Sequence, residues 1–260
     1  MVQIGGMIKR EPLPMKREPL PAAPAFQPLY RQIKALLTEG LATGEWRPGE
    51  PIPSEQELAR RYKVSQGTVR KAVSELAGEN VLIRRQGRGT FVATHAHVGT
   101  QLSFLRITPD AEPVRDLEPC LIDLKRQRAD AAAARVLGIA VGASLVRLRR
   151  TLAINGRSVV FEEVRLPADR FRGLDVPTVA AHGCLLYSMY ESAFGVKIVA
   201  GSERIKAVAA DAETAQRLGV EAGAPLLQME RVAYTYGQIP VELRRAFCDT
   251  RMHHYANDLG

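Results

Sequence analysis

Residues 52–92 read IPSEQELARRYKVSQGTVRKAVSELAGENVLIRRQGRGTFV, and the order of signals in this stretch decides the fold. Ser54-Glu55-Gln56-Glu57 is a capping box: the serine hydroxyl can accept from the Glu57 amide, and the Glu57 carboxylate can reach back. It predicts a short helix through Tyr62. After a turn at Lys63-Val64, Ser65 can cap a second helix running to about Ala77. Val69, Ala72, Val73 and Leu76 form its apolar stripe, at i, i+3, i+4 and i+7. The opposite face carries Gln66, Gly67, Arg70, Lys71 and Ser74. Two short helices joined by a tight turn, the second polar and basic outside, form a helix-turn-helix pattern. The β-prone runs 81–84 and 90–93 then flank Gln86-Gly87-Arg88-Gly89, which predicts a basic hairpin in the position of a wing.

Glycine on an exposed helix face costs up to about 1 kcal/mol relative to alanine. Giving up that stability at Gly67 makes sense where a phosphate backbone must approach closely. The rival reading, a helix-turn-helix used only for packing with Arg70 and Lys71 as a solvated face, leaves Gly67 unexplained.

Upstream, PLYRQIKALLTEGLATGEW places Leu29, Ile33, Leu36, Leu37 and Leu41 on one helical stripe, with Pro28 suited to the first turn. Before it, KREPLP occurs twice, at 9–14 and 16–21, followed by AAPA, and residues 1–25 read as a disordered tail. The chain has 260 residues, 46% apolar and 25% charged, enough for one and a half to two domains. No apolar run approaches a membrane span, and the N-terminus lacks a signal-peptide core. Cys120, Cys184 and Cys248 match no metal spacing and cannot all pair, so a reduced, cytoplasmic setting is expected. Of the net charge of +8, residues 25–95 carry +4, from 11 basic and 7 acidic groups. That local excess suits a polyanionic partner.

The remainder contains a duplication. Residues 129–166 and 210–247 repeat at an offset of 81, each preceded by a strand-like segment. Each unit reads strand, short helix, turn, long hairpin. Asp130 and Asp211 are placed as N-caps, Gly138 and Gly219 as left-handed C-terminal residues, and the hairpins turn at Asn155-Gly156 and Tyr236-Gly237. Two such units predict an α+β domain around one predominantly antiparallel sheet. Between them CLLYSMYESAF (184–194) reads as a helix, with Leu185, Leu186, Met189 and Tyr190 as core candidates and its aromatics as packing. Strand parity puts Arg150 in an otherwise apolar row with Val146, Leu148, Leu152 and Ile154; the repeat places Arg231 similarly, and Glu162 shares a face with Val160, Val164 and Leu166. A charge there must be paired or must meet a ligand. An Arg150–Glu162 salt bridge requires an odd-length loop, because a two-residue Asn155-Gly156 turn sets Arg150 against Phe161.

The stretch over residues 28–93 resembles the DNA-binding domain of the GntR family of bacterial transcription regulators. That resemblance implies that Gln56, Ser65, Gln66, Gly67, Thr68, Arg70 and Lys71 approach DNA, with Gln86, Gly87 and Arg88 at the wing tip. Arginine usually stands where Gln56 and Gln66 are found. Arginine prefers guanine and glutamine prefers adenine, so a different operator is expected at those positions.

Residues 100–250 are similar to the UTRA effector-sensing module of the HutC subfamily, with its chorismate-lyase-like fold. This implies that Ser103, Arg150, Glu162 and Glu242 contact a small-molecule effector, with Arg231 and Arg244 suiting an anionic one. Hexosamine-phosphate binders carry serine near Leu185 and tyrosine near Cys248; this chain has neither. The domains expected are a tail at 1–25, a winged helix-turn-helix at 26–93, a linker at 94–101 and a sensor and dimerisation domain at 102–260.

The composite expectation is a homodimeric repressor on a palindromic double-stranded operator, with no membrane association and no cofactor. Two readings compete with it: an enzyme of chorismate-lyase-like fold fused to a DNA-binding head, and a DNA-binding protein blind to ligands. No nucleophile–base pair or phosphate loop favours the enzyme. His95, His97, His253 and His254 are read as surface residues, and no metal site is expected.

Overall fold

The computed structural model describes residues 27–94, 106–111 and 113–257. The tail at 1–25, Ser103, His95 and His97 lie outside the described residues, as does the expected linker except for Thr94.

Three helices and a hairpin make the N-terminal unit: α1 (Leu29–Ala42), α2 (Glu55–Tyr62), α3 (Gln66–Gly78), β1 (Leu82–Arg85) and β2 (Gly89–Val92). The capping box at Ser54 is formed in both directions, and Ser65 caps α3 through the Thr68 amide. Lys63 closes α2 in the left-handed region, which makes the turn into α3 tight. Ile33, Leu37, Leu41, Leu58, Val69, Val73, Leu76, Leu82 and Val92 share one core. The expected α1 stripe is wider than the face that packs: Ile33, Leu37 and Leu41 are buried, whereas Leu29 and Leu36 at its margins are exposed. Ser54→Ala should lower the urea midpoint of this unit by an amount corresponding to about 1 kcal/mol.

The second unit is built on six antiparallel strands in the order β4-β5-β6-β9-β8-β7. These are β4 (Leu117–Arg128), β5 (Ser144–Ile154), β6 (Arg157–Pro167), β7 (Ala200–Ala209), β8 (Pro225–Thr235) and β9 (Ile239–Cys248). Two three-stranded repeats therefore join through β6 and β9. Helices α4 (Ala131–Leu137) and α7 (Ala212–Leu218) start at Asp130 and Asp211 and end at left-handed Gly138 and Gly219. Each covers one face of the sheet by packing on the other repeat, α4 over β9 and α7 over β6. The opposite face is covered by α5 (Val176–Ala181) and α6 (Leu186–Phe194), whose Val179, Leu186, Tyr187, Met189 and Tyr190 meet Leu148, Val164 and Leu166. A small hairpin-like pair, β3 (Ile107–Pro109) with β10 (His253–Tyr255), flanks the sheet. In β10 His253 is buried and His254 exposed, so the surface expectation holds only for the second.

Register departs from the expectation in an informative way. Asn155-Gly156 is a two-residue turn, with Ile154 opposite Arg157, yet Arg150 still faces Glu162. An extra residue, Val159, forms a bulge between the two pairs and restores the parity that an odd loop would have supplied. The second hairpin has its own bulge at Val241 and a three-residue turn, Tyr236–Gln238. Its returning strand is thus displaced by one relative to an ungapped alignment, and the true counterpart of Glu162 is Arg244, which stands opposite Arg231. The first repeat pairs cation with anion across the hairpin, whereas the second sets two arginines side by side.

Candidate DNA-contacting and effector surfaces

On the N-terminal unit, every residue expected to approach DNA is solvent-facing except Thr68, which is half-buried. Gln56 near the start of α2, Gln66, Gly67, Arg70 and Lys71 on α3, and Gln86, Gly87 and Arg88 between β1 and β2 are all exposed. Ser65 is exposed too, but its oxygen is engaged by the Thr68 amide and hydroxyl.

Arg70 is held by a partner the sequence reading missed. Its Nε donates to Glu55 Oε2 at 2.9 Å, and the other Glu55 oxygen accepts from Arg84 Nη2 at 3.2 Å. Arg84 also donates to Ser74 Oγ at 2.9 Å, tying α2, α3 and the wing together. Both terminal nitrogens of Arg70 remain outside any hydrogen bond among the described residues. Lys71 packs its ammonium over the Tyr30 ring, 3.9 Å from the centroid.

Gly67 is not required by the protein itself. A Cβ there would meet only Ser65 Oγ, at 3.9 Å, and its backbone is helical. Gly67→Ala should therefore leave the fold intact, or stabilise it by up to about 1 kcal/mol, while weakening DNA binding. Thermal unfolding and fluorescence anisotropy together check this; unchanged DNA affinity would mean that α3 stands away from the phosphate backbone.

On the sheet, the face under α6 gathers the charged residues expected to contact an effector. Arg150 is 3% exposed, Glu162 1%, Arg231 3%, Glu242 0% and Arg244 7%. Arg150 Nε donates to Glu162 Oε1 at 2.7 Å, and its Nη1 donates to the Cys184 carbonyl. Arg244 reaches Glu162 Oε2 at 3.1 Å and grips Glu242 with two bonds of 2.9 Å. Tyr187 and Tyr190, from α6, donate to the two Glu242 oxygens at 3.1 and 2.8 Å. Arg231, set against Arg244 by the displaced register, takes Glu203 from β7 instead, at 2.6 Å.

Charge states follow from this pairing. Burial alone would raise the Glu162 pKa, but Arg244 and Arg150 outweigh it and hold the carboxyl below its ordinary value. Burial likewise opposes the charge on Arg244, and Glu162 with Glu242 overcomes it, leaving its pKa well above the ordinary one. The Tyr187 and Tyr190 hydroxyls are pushed up by burial and by Glu242, so they stay protonated donors. Burial lifts the Cys248 thiol to about 12, which makes it an unreactive apolar neighbour.

A cavity of about 340 Å³ opens beside this network on the second-repeat side, lined by Arg106, Tyr187, Gly201, Glu203, Arg231 and Tyr255. Arg106 Nη1 donates to the Tyr255 hydroxyl at 3.0 Å, and Tyr255 in turn donates to Glu203. The sequence reading brought Arg231 here but missed Arg106, Tyr187, Glu203 and Tyr255. Tyr187 lies within the expected helix, where an aromatic side chain is expected to pack. Glu203 carried no signal of its own, because β7 is an edge strand largely exposed along its length.

A winged helix presenting a polar, basic helix outward, attached to a sheet domain with a charged, open cavity, defines a sensor-linked DNA-binding protein. Residues 29–92 match the family described as bacterial regulatory proteins, gntR family, and residues 117–254 match the UTRA domain. The chain belongs to the GntR family and to its UTRA-bearing branch. The repressor PhnF of Mycolicibacterium smegmatis is 32% identical over 77% of this chain and 80% of its own length. The repressor NagR of Bacillus subtilis is 29% identical over 80% and 84%. Among solved structures, the ligand-binding domain of a GntR-family regulator from Bordetella bronchiseptica is 41% identical, with a TM-score of 0.57 over 60% of this chain and 96% of that one. The crystal structure of PhnF from Mycobacterium smegmatis gives 27% identity and a TM-score of 0.52, over 88% of this chain and 99% of that one. The protein is thus a DNA-binding transcriptional repressor of this type and not an enzyme. No helix among the described residues is long and apolar enough to cross a membrane.

Proposed function

We propose that this cytoplasmic repressor binds a palindromic operator as a homodimer and is released by a small anionic metabolite. The DNA-binding head is residues 26–93, the linker 94–101 and the sensor and dimerisation domain 102–260. Gln56 and Gln66 read adenine, Arg70 reads guanine, Lys71 and the wing residues Gln86–Arg88 steady the backbone, and Gly67 lets it come close. The effector's acidic group is received in the Arg231 half of the sheet, where Arg106, Arg231 and Glu203 are the charged groups lining the cavity among the described residues. At the Arg150 half, Glu162 and Glu242 already satisfy Arg150 and Arg244. Those residues frame the site more than they fill it, and Ser103, which lies outside the described residues, is kept as an effector contact on the family resemblance alone.

One observation carries this reading. The exposed Gln66–Arg70 face and a cavity holding a buried arginine occur in one chain, which a ligand-blind DNA-binding protein would not need. Selection of bound duplexes from random sequence should yield an inverted repeat. Adding small acids one at a time should then release the protein from it for at least one of them. A selected site without two-fold symmetry would end the homodimer reading; an operator affinity unmoved by every acid would end the effector reading.

A further inference from the structure

The DNA-binding head is docked on the sensor domain, and one buried lysine sits at the joint. Lys197 lies just past Gly195, which ends α6, and is 2% exposed. Its ammonium donates to the Ala93 carbonyl and to the Val81 carbonyl at 3.5 Å, both at the base of the wing. Nearby, the Thr94 hydroxyl donates to Glu191 of α6. Tyr236, from the turn between β8 and β9, is buried within the head's own core cluster, which also holds Trp46 and the buried face of α1. The Gln66–Arg70 surface takes no part in this contact and stays exposed.

Burying an ammonium is costly, and burial pushes the Lys197 pKa down to about 8 against the pull of Glu191. Packing alone would be served better by methionine. What the ammonium adds is direction: it fixes two carbonyls of the head relative to α6. That helix also carries Tyr187 and Tyr190, whose hydroxyls hold Glu242 beside the effector cavity, so the cavity and the joint share one rigid element.

We propose that Lys197 is a positioning residue that sets the head at a fixed place on the sensor domain, so that two heads meet two half-sites at one spacing. This rests on the homodimer reading above. Fixed heads raise the effective concentration of the second head once the first is bound; loosely tethered heads lose that advantage.

The test compares a duplex selected from random sequence with the same duplex carrying one scrambled half-site. For the wild type the intact duplex should bind more tightly. Equal binding would overturn the two-headed reading and the role of Lys197 with it, before any variant is made. Lys197→Met should then lose about tenfold in affinity for the intact duplex and nothing for the half-site. Equal loss on both would mean that the lysine merely holds the head folded; loss on neither would mean that it positions nothing.

A pH series separates positioning from packing. Docking lowers the pKa of Lys197, so the docked state holds fewer protons and tightens as pH rises from about 8. Tyr236, raised by burial and Glu191, titrates in the opposing sense from the ordinary tyrosine value of 10.0 upward. Between those limits the ratio of intact-site to half-site affinity should climb for the wild type and stay flat for Lys197→Met. A flat wild-type ratio would overturn the proposal.

Discussion

Arg70→Ala should abolish most operator affinity while leaving folding untouched. A bidentate arginine–guanine pair discriminates by about 1–3 kcal/mol, and a dimer loses it twice, so the drop is about thirtyfold or more. The fold has little at stake, since the Arg70 side chain is 61% exposed and its pair with Glu55 is a surface ion pair. Such pairs contribute about 1 kcal/mol at most. Arg70→Lys distinguishes readout from simple charge. If the residue contacts only phosphate, lysine should restore most of the affinity; if its planar fork reads a base, lysine should restore little. Glu55→Gln adds a third readout. It weakens the anchor that holds the Arg70 side chain by its Nε, so affinity should fall moderately and the preference at the cognate base should relax. Anisotropy titrations against selected and base-substituted duplexes measure all three, and an Arg70→Ala protein that binds as the wild type does would remove α3 from the interface.

The head was legible in the sequence because its signals are local. A capping box, a second serine cap, a four-residue apolar stripe and a glycine-rich turn each involve residues within a few positions of one another, and each forms as expected. The duplication was legible for the same reason: Asp130 and Gly138, like Asp211 and Gly219, bracket one short helix. Register was not. A bulge at Val159 or Val241 leaves no mark in composition, yet each shifts a whole strand by one residue and decides which charges face one another. The partners of the buried arginines were hidden in turn. Glu203 meets Arg231 because the β7–β8 register sets the two directly opposite one another, and Tyr187 meets Glu242 because α6 folds over that row. Lys197 and Tyr236 belong to contacts between the two units, which no local pattern reports.

The same displaced register makes Glu162 the residue on which the sensor domain depends most. It is the shared anion of Arg150 and Arg244, bonded to one through each oxygen. Removing it in Glu162→Ala strands two buried guanidinium groups, although Arg244 keeps Glu242 and Arg150 keeps the Cys184 carbonyl. Breaking a buried pair by deleting one partner costs about 3–5 kcal/mol, a large part of the roughly 5–15 kcal/mol that holds a domain together. Urea unfolding followed by circular dichroism should show that loss. Glu162→Gln, which keeps the shape and one acceptor, should show a smaller one and stay folded. The pH dependence carries the sign of the mechanism. Because Glu162 is held below its ordinary carboxyl value of 4.5, the unfolded chain takes up its proton first as pH falls. Its contribution is thus complete above that value and vanishes as pH drops through the lowered one. Wild-type stability should fall more steeply than that of Glu162→Gln below pH 4.5, and the two curves should converge in acid. Parallel curves would mean that Glu162 is not the charged hub of the sheet, and that Arg150 and Arg244 are held chiefly by the Cys184 carbonyl and Glu242.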